Sequence, residues 1–368
     1  MADFDDKEVE NVADKLKVGI IFGGQSGEHD VSLMSVSSII KNMDRDKYEL
    51  ILIGITKEGK WLLYRGDEEL IEGGGWQSLG IPVIFPPDPS YKCLILQDGT
   101  HKRIELDIMF PVLHGPRGED GTIQGLFEMA GIPYVGCGVI PSSVGMDKAV
   151  SKDIFRAHGL PQCDFVSVLK SAYLKDGDSI IKGIEDKLGY PCFIKPANMG
   201  SSVGISKAHN RQELIQGLDL ASRYDNKIVV EQFIKGREIE CSVLGNDRPM
   251  ASTVGEILPS KEFYDYDAKY RDQGASKLII PAHLDKEKID EIRGLAIKAY
   301  KALNCSGLSR VDFFLEGENQ RVLINEVNTM PGFTRISMYP KLWEASGIPY
   351  GELIDRLIQL ALDRHRFR

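Results

Sequence analysis

From Lys17 onward the chain alternates short apolar runs with segments whose apolar residues recur at three- and four-residue spacing. Lys17 to Phe22 is apolar enough to be a buried strand. After the turn Gly23-Gly-Gln-Ser-Gly-Glu28-His-Asp, the segment Val31 to Met43 has helical periodicity. Tyr48 to Ile55 and Asp107 to Gly115 read as further buried strands, and Thr122 to Gly131 as a helix. Alternating strands and helices predict an open, mostly parallel sheet, with ligands expected at the carboxyl ends of its strands. From about Gly136 the pattern changes to short helices around Ser143 to Gly159 and the strand Cys192 to Pro196. Longer strands then follow at Arg237–Gly245, Ser309–Gly317 and Arg321–Thr329, with a helix within Asp285–Asn304. The expected fold class is α/β with α+β character. Expected domains are 1–136, an amino-terminal α/β unit whose first 15 residues form a frayed leader; 137–231, a central unit; and 232–368, a carboxy-terminal unit.

Composition changes this picture little. The 368 residues carry 45 Lys and Arg against 54 Asp and Glu, a net charge of −9, which argues against a general nucleic-acid or anionic-membrane surface. A local basic pocket for phosphate remains compatible with it. No apolar run has the length of a membrane helix, and the acidic, polar amino terminus lacks the features of a signal peptide, so a cytoplasmic location is expected. The six cysteines are at least 26 residues apart, which predicts packed, reduced thiols rather than disulfides or a zinc site.

Two glycine loops carry candidate chemistry. The first has the spacing GGxxG rather than GxGxxG, and no acidic residue is placed for a dinucleotide ribose. Its Glu28 stands in the first turn of a helix, as a dipole-favoured cap or as a carboxylate facing a cleft and a substrate ammonium. The second, His114-Gly-Pro-Arg-Gly-Glu-Asp-Gly121, also follows a strand, and His114 beside Glu28 is a candidate substrate contact.

No GxxxxGK[ST] loop and no kinase HRD or DFG signature occurs. Instead, the strand lysine Lys195 runs into the small-residue loop Gly200-Ser201-Ser202-Val-Gly204, whose amides and hydroxyls can close over phosphate oxygens. A lone acid at a strand end is ordinarily solvated. Here Glu231, with the nearby backbone of Phe233 and Ile234, becomes a candidate for an adenine edge, and Glu238 for a ribose hydroxyl. The same glycine loop fits G-x-S-x-G, but extended sequence follows it and the next helix starts only at Asn210, capped with Glu213, so a serine hydrolase is disfavoured. In Arg310-Val-Asp312 and Glu326-Val-Asn328, period-two geometry puts each polar pair on one strand face. Asp312, Glu326 and Asn328 then form an oxygen-donor set suited to Mg²⁺ shared with phosphate. The tyrosine-rich segment Lys261 to Gly274, with Lys269 and Tyr270, is a candidate lid.

Together, GGQSGEHDVSLMS, HGPRGEDGTIQG, MDKAVSK, FIKPANMGSSVG, YDYDAKY, GLSRVDFF and NEVNTMPGFTRISMYPKLW make the chain resemble the ATP-grasp superfamily, specifically the D-alanine:D-alanine ligase family, over nearly its whole length. The resemblance implies a three-domain ATP-grasp architecture, with ATP between the central and carboxy-terminal domains and two Mg²⁺ (or Mn²⁺) ions on Asp312, Glu326 and Asn328. It implies that Lys148 and Lys195 neutralise phosphate charge, that Ser201 and Ser202 cover the terminal phosphates, and that Lys269 grips the transferred phosphoryl group. By the same resemblance Glu28 pairs with the first D-alanine's ammonium, and Arg310 with Gly332 stabilises the oxyanion. Ser337 with Met338 receives the second D-alanine, while Tyr270 closes the site with Ser201 and Glu28. The implied reaction joins two D-alanines through D-alanyl phosphate, for peptidoglycan precursors, in a bacterial cytoplasmic homodimer. Another ATP-grasp carboxylate-amine ligase, or a D-alanine:D-lactate or D-serine ligase, is the alternative. Between the oxyanion turn and Ser337 this chain carries Phe333-Thr-Arg335-Ile, where many relatives have other residues.

Overall fold

The computed structural model describes residues 15–258, 277–317 and 320–366. Among these, the strands form three sheets. Strands β1 (Leu16–Gly23), β2 (Tyr48–Ile55), β3 (Trp61–Tyr64), β4 (Ile81–Ile84), β5 (Cys93–Leu96), β6 (Arg103–Glu105) and β7 (Ile108–Val112) build the first, in the order β6-β5-β4-β3-β2-β1-β7. Its β2-β1-β7 portion is parallel, as the alternating pattern predicts. The four short strands β3 to β6, which the sequence reading did not contain, extend it antiparallel as successive hairpin neighbours. The sheet is therefore mixed. Antiparallel neighbours need only short turns, so these strands add to the sheet without crossover helices.

Strands β8 (Phe165–Leu169), β9 (Cys192–Pro196), β10 (Ser206–Ala208) and β11 (Lys227–Gln232) form the second sheet, in the order β10-β9-β11-β8. The helix Arg211–Ala221 covers it. Its Asn210 side chain accepts from the Glu213 amide at 3.0 Å, and Glu213 reaches back to the His209 amide at 2.9 Å. This reciprocal cap is the helix start expected from the sequence, shifted by one residue on the return bond. The third sheet runs β14-β13-β12-β15-β16, with β12 (Gly236–Gly245), β13 (Met250–Leu258), β14 (Lys277–Ile279), β15 (Gly307–Glu316) and β16 (Arg321–Asn328). Along β15, Val311, Phe313 and Leu315 are buried under the helix Lys286–Ala302, whereas Arg310, Asp312 and Phe314 face the other way.

One apolar cluster ties the first and third sheets together. Val18, Ile20 and Phe22 of β1 and Phe110 of β7 share it with Leu244, Leu308, Phe333 and the carboxy-terminal helix Tyr350–Arg366. Arg364 of that helix donates to Tyr134 O at 2.8 Å and to Ser306 Oγ at 2.7 Å, and its guanidinium lies over the Tyr134 ring. The joint between the sheets is thus a shared core rather than a flexible linker. Leu357 is fully buried at its centre. Leu357→Ala is expected to cost about 2–5 kcal/mol of stability in urea unfolding; a cost below about 1 kcal/mol would show that the helix is not part of this core.

Candidate active site

The site is built where the carboxyl end of β1, the glycine loop after β9 and the paired strands β15 and β16 come together. Glu28 ends the first loop, immediately before the helix His29–Asn42. Its carboxylate accepts from the Ser201 hydroxyl of the Gly200–Gly204 loop. A Cβ on Gly200 would lie 2.7 Å from Glu28 Oε2, and one on Gly115 would overlap the same oxygen. Both positions must therefore lack a side chain for the carboxylate to sit between the two loops. Ser201 and Ser202 have φ of +47° and +61°, a left-handed conformation that serines adopt at a cost of about 1–3 kcal/mol each. Strain of this kind collects where a loop must present its amides and hydroxyls to a ligand.

The loop is fastened at its start. Asn198 donates through both its backbone N and its side chain to Asp225, at 2.7 and 3.0 Å. Lys148, the first residue of the helix Lys148–Ala157, donates Nζ to Met199 O at 2.7 Å, placing its ammonium against the loop backbone. Asp147 caps that helix by accepting from Ala149 N and Val150 N, and also pairs with Lys227 at 2.6 Å.

Lys195 and Glu231 lie on adjacent strands of the second sheet. Their neighbours in register are Val229 and Phe193, so the two charged residues are diagonal across the β9–β11 pair. Lys195 Nζ lies 2.6 Å from Glu231 Oε2, and Lys152 Nζ lies 3.1 Å from Oε1. Burial alone would raise the Glu231 pKa, but the two ammonium charges and their hydrogen bonds outweigh it and lower it from 4.5 to about 2. Burial would likewise lower the Lys195 pKa, yet the charges of Glu231 and Glu326 hold it above its ordinary value. Both Glu231 carboxylate oxygens are thus engaged by lysines, and just after it Gln232 N donates to Asp164 O at 3.0 Å and Phe233 N to Pro191 O at 3.3 Å. Close by, the rings of Phe193 and Phe233 are 6.0 Å apart and Lys207 Nζ stands 4.0 Å over Phe233. Ile234 is buried with Cys163 and Leu323. Glu238 lies on β12, opposite Ile257 and Phe314.

The register of β15 and β16 pairs Arg310 with Asn328 and Asp312 with Glu326. The shift between Asp312 and Phe313 marks a bulge at this point, a feature that re-aims side chains beside active sites. Arg310 donates Nε and Nη2 to the two Asp312 oxygens, both at 2.7 Å, and Asn328 Nδ2 donates to Asp312 at 2.8 Å. Arg310 Nε also lies 2.9 Å from Glu240 Oε2, so this guanidinium is held by two carboxylates. Among the described residues, no group of three His, Cys, Asp or Glu side chains gathers as metal ligands. Asp312, Glu326 and the Asn328 amide oxygen supply hard oxygen donors, which fit a Mg²⁺ or Mn²⁺ ion that takes its other ligands from phosphate and water.

His114 is almost fully buried. Its Nδ1 faces Met330 O at 3.2 Å and Glu119 Oε1 at 3.5 Å, and Nε2 lies 3.1 Å from Ser35 Oγ. Because both Nδ1 neighbours are acceptors, that nitrogen carries a proton. Burial opposes charging of the ring, but Glu119 and, farther off, Glu28 outweigh it and raise its pKa. Ser35 Oγ also accepts from Phe333 N at 3.3 Å, joining the first helix to the turn containing Gly332. A Cβ on Gly332 would lie 2.8 Å from Ser337 Oγ, so a side chain there would displace that hydroxyl. Ser337 precedes the helix Met338–Ala345, and its hydroxyl accepts from Thr334 N at 3.0 Å. Met338 packs against Ile257 and Leu342, which leaves its backbone N–H rather than its side chain for recognition. Lys269 and Tyr270 lie outside the described residues.

Sequence reasoning missed three charged residues here. Glu119 sits in the quoted HGPRGEDG loop, Glu240 lies one strand period from Glu238, and Lys152 lies one helical turn from Lys148. The loop motif and the strand period were available as signals for Glu119 and Glu240, whereas nothing local showed that Lys152 is buried.

Comparison with known proteins agrees with this geometry. Residues 17–137 match the family description "D-ala D-ala ligase N-terminus", and residues 154–359 match "D-ala D-ala ligase C-terminus". The chain is 56% identical over 353 residues to a D-alanine–D-alanine ligase of Thermoanaerobacter sp. (strain X514), covering 96% of this chain and 98% of that one. It is 52% identical over 370 residues to the Acetivibrio thermocellus protein of the same name, with coverage of 96% and 98%. Among solved structures it is similar to the VanG D-Ala:D-Ser ligase of Enterococcus faecalis, with a TM-score of 0.86, 39% identity, and coverage of 95% and 100%. It is also similar to the D-alanine-D-alanine ligase of Coxiella burnetii, with a TM-score of 0.85, 36% identity and 96% coverage of both chains.

The buried triad gives a pH prediction. The depressed Glu231 pKa contributes stability that is present above about pH 4.5 and lost as pH falls towards 2. Wild type is therefore expected to exceed Glu231→Gln in chemical denaturation near neutrality, with the gap shrinking through that acid window. A gap independent of pH would contradict the ionised triad.

Proposed function

Because this chain belongs to the D-alanine–D-alanine ligase family, we propose that it joins two D-alanines to D-alanyl-D-alanine, with ATP converted to ADP and phosphate. The observation that carries this reading is the Glu28–Ser201 contact. It sets a carboxylate able to hold a substrate ammonium directly against a loop able to hold phosphate, so an amino acid and a nucleotide would meet there.

In this reading the first D-alanine binds with its ammonium at Glu28 and its carboxylate towards the glycine loop. That carboxylate attacks the γ-phosphorus, ADP leaves, and an acyl phosphate results. The second D-alanine then attacks the acyl carbon with its free amine, losing a proton; collapse of the tetrahedral intermediate expels phosphate. A carboxylate is a poor electrophile, and phosphorylation gives it a leaving group. Arg310 and the Gly332 amide face the developing oxyanion, and the helix start at Ser337 and Met338 receives the second carboxylate. His114 with Glu119 braces Glu28 and the Met330–Phe333 turn. Lys148 and Lys195 neutralise phosphate charge, Ser201 and Ser202 cover the terminal phosphates, the backbone from Glu231 to Ile234 reads adenine, and Glu238 holds ribose. Lys269 and Tyr270 are assigned to the lid. Asp312, Glu326 and Asn328 would hold two divalent ions, Mg²⁺ or Mn²⁺, whose chemistry when bound is neutralisation of phosphate charge. Residues 1–136, 137–231 and 232–368 are assigned as the three domains, and the working form as a homodimer in the bacterial cytoplasm supplying peptidoglycan precursors. Among the described residues, no helix is long and apolar enough to cross a membrane.

The test is phosphate release with Mg-ATP and a panel of D-alanine, L-alanine, D-serine and D-lactate. Release that requires D-alanine supports the assignment. Equal release with L-alanine overturns it, and a preference for D-serine as second substrate moves the chain to the specificity of its VanG neighbour. Glu326→Gln is expected to lower turnover about a hundredfold or more at ordinary Mg²⁺, and wild-type activity in that variant would show the metal set to be wrongly assigned.

A further inference from the structure

Lys152 is one of the most deeply buried charges in the molecule, with its side chain 1% exposed, and the roles assigned above make no use of it. It rises from the helix Lys148–Ala157 beneath the second sheet, beside the Phe165 ring and 3.7 Å from the Cys163 sulfur. At that depth it cannot touch a nucleotide. What it does touch is Glu231, on the oxygen opposite the one held by Lys195. Lys195 is the more open lysine, 12% exposed, and it feels the negative charges of both Glu231 and Glu326.

The charge count around Lys195 then decides its usefulness. With Lys152 present, two ammonium groups share the one Glu231 carboxylate, so Lys195 keeps charge to offer an incoming polyphosphate. Without Lys152, the Glu231 carboxylate 2.6 Å away cancels the Lys195 charge, and the phosphate meets a neutral pair at low effective dielectric. We propose that Lys152 is a positioning residue for nucleotide phosphate: it holds and neutralises Glu231 from beneath, so that Lys195 is left to bind the anion rather than to balance its own neighbours. This rests on the reading of Lys195 as a phosphate ligand.

A buried lysine of purely structural role would serve the adenosine and phosphate parts of the site alike. A charge-balancing lysine serves only the phosphate. Binding of adenosine and of Mg-ATP should therefore be compared in wild type, Lys152→Met and Lys152→Arg by calorimetry, without D-alanine. In Lys152→Met, ATP affinity is expected to fall about tenfold to a hundredfold, with adenosine affinity changed less than about twofold. Lys152→Arg, which keeps the charge, should retain most of the preference for ATP over adenosine. Equal losses for both ligands in Lys152→Met, or no loss for either, would overturn the proposal. Should the methionine variant fail to fold, loss of the ATP preference in a folded Lys152→Arg would overturn it as well. Wild type with no preference for ATP over adenosine would instead overturn the reading of Lys195, and this inference with it.

Discussion

The contact between the Ser201 hydroxyl and the Glu28 carboxylate is the constraint around which the site is arranged. Its partners belong to different sheets: Glu28 ends the loop after β1, and Ser201 lies in the loop after β9. The contact exists only because Gly115 and Gly200 leave room for the carboxylate, and because Ser201 accepts a left-handed backbone. Its cost is met by the anchors on either side, the Asn198–Asp225 pair and Lys148 on the Met199 carbonyl. A site assembled in this way is held by its frame before any ligand arrives, as preorganised electrostatic catalysis requires.

The charges around this contact follow one rule. Each cation assigned to phosphate or oxyanion within the described residues has a polar anchor: Lys195 has Glu231, Arg310 has Asp312 and Glu240, and Lys148 has a backbone carbonyl. Buried or half-buried cations without such partners would lose their protons or destabilise the fold. The net charge of −9 therefore does not conflict with a polyphosphate ligand. What matters is the local balance, in which carboxylates hold the cations in place without cancelling them.

Much of this arrangement was legible because strand geometry is periodic. Arg310 and Asp312 share a face of β15, Glu326 and Asn328 share a face of β16, and the observed register sets the two pairs side by side. The strand lysine before a glycine loop and the Asn210 cap were visible for the same kind of local reason. The antiparallel extension β3 to β6 was not, because runs of three or four residues are too short to show a period. Nor was the fate of Lys152: a lysine on a helix reads as solvent-facing, and only the packing of that helix under β11 turns it inward to Glu231. Likewise nothing local revealed that Met338 packs its side chain into the apolar cluster with Ile257, leaving its backbone at the helix start.

The central claim is that the carboxylate of an amino acid anchored at Glu28 faces the phosphate held by the Ser201 loop. The most direct measurement uses D-alanine labelled with ¹⁸O in its carboxylate, with mass analysis of the inorganic phosphate released during turnover. Direct phosphorylation predicts one carboxylate oxygen transferred to each phosphate. Phosphate that carries no label during normal dipeptide formation would contradict the account.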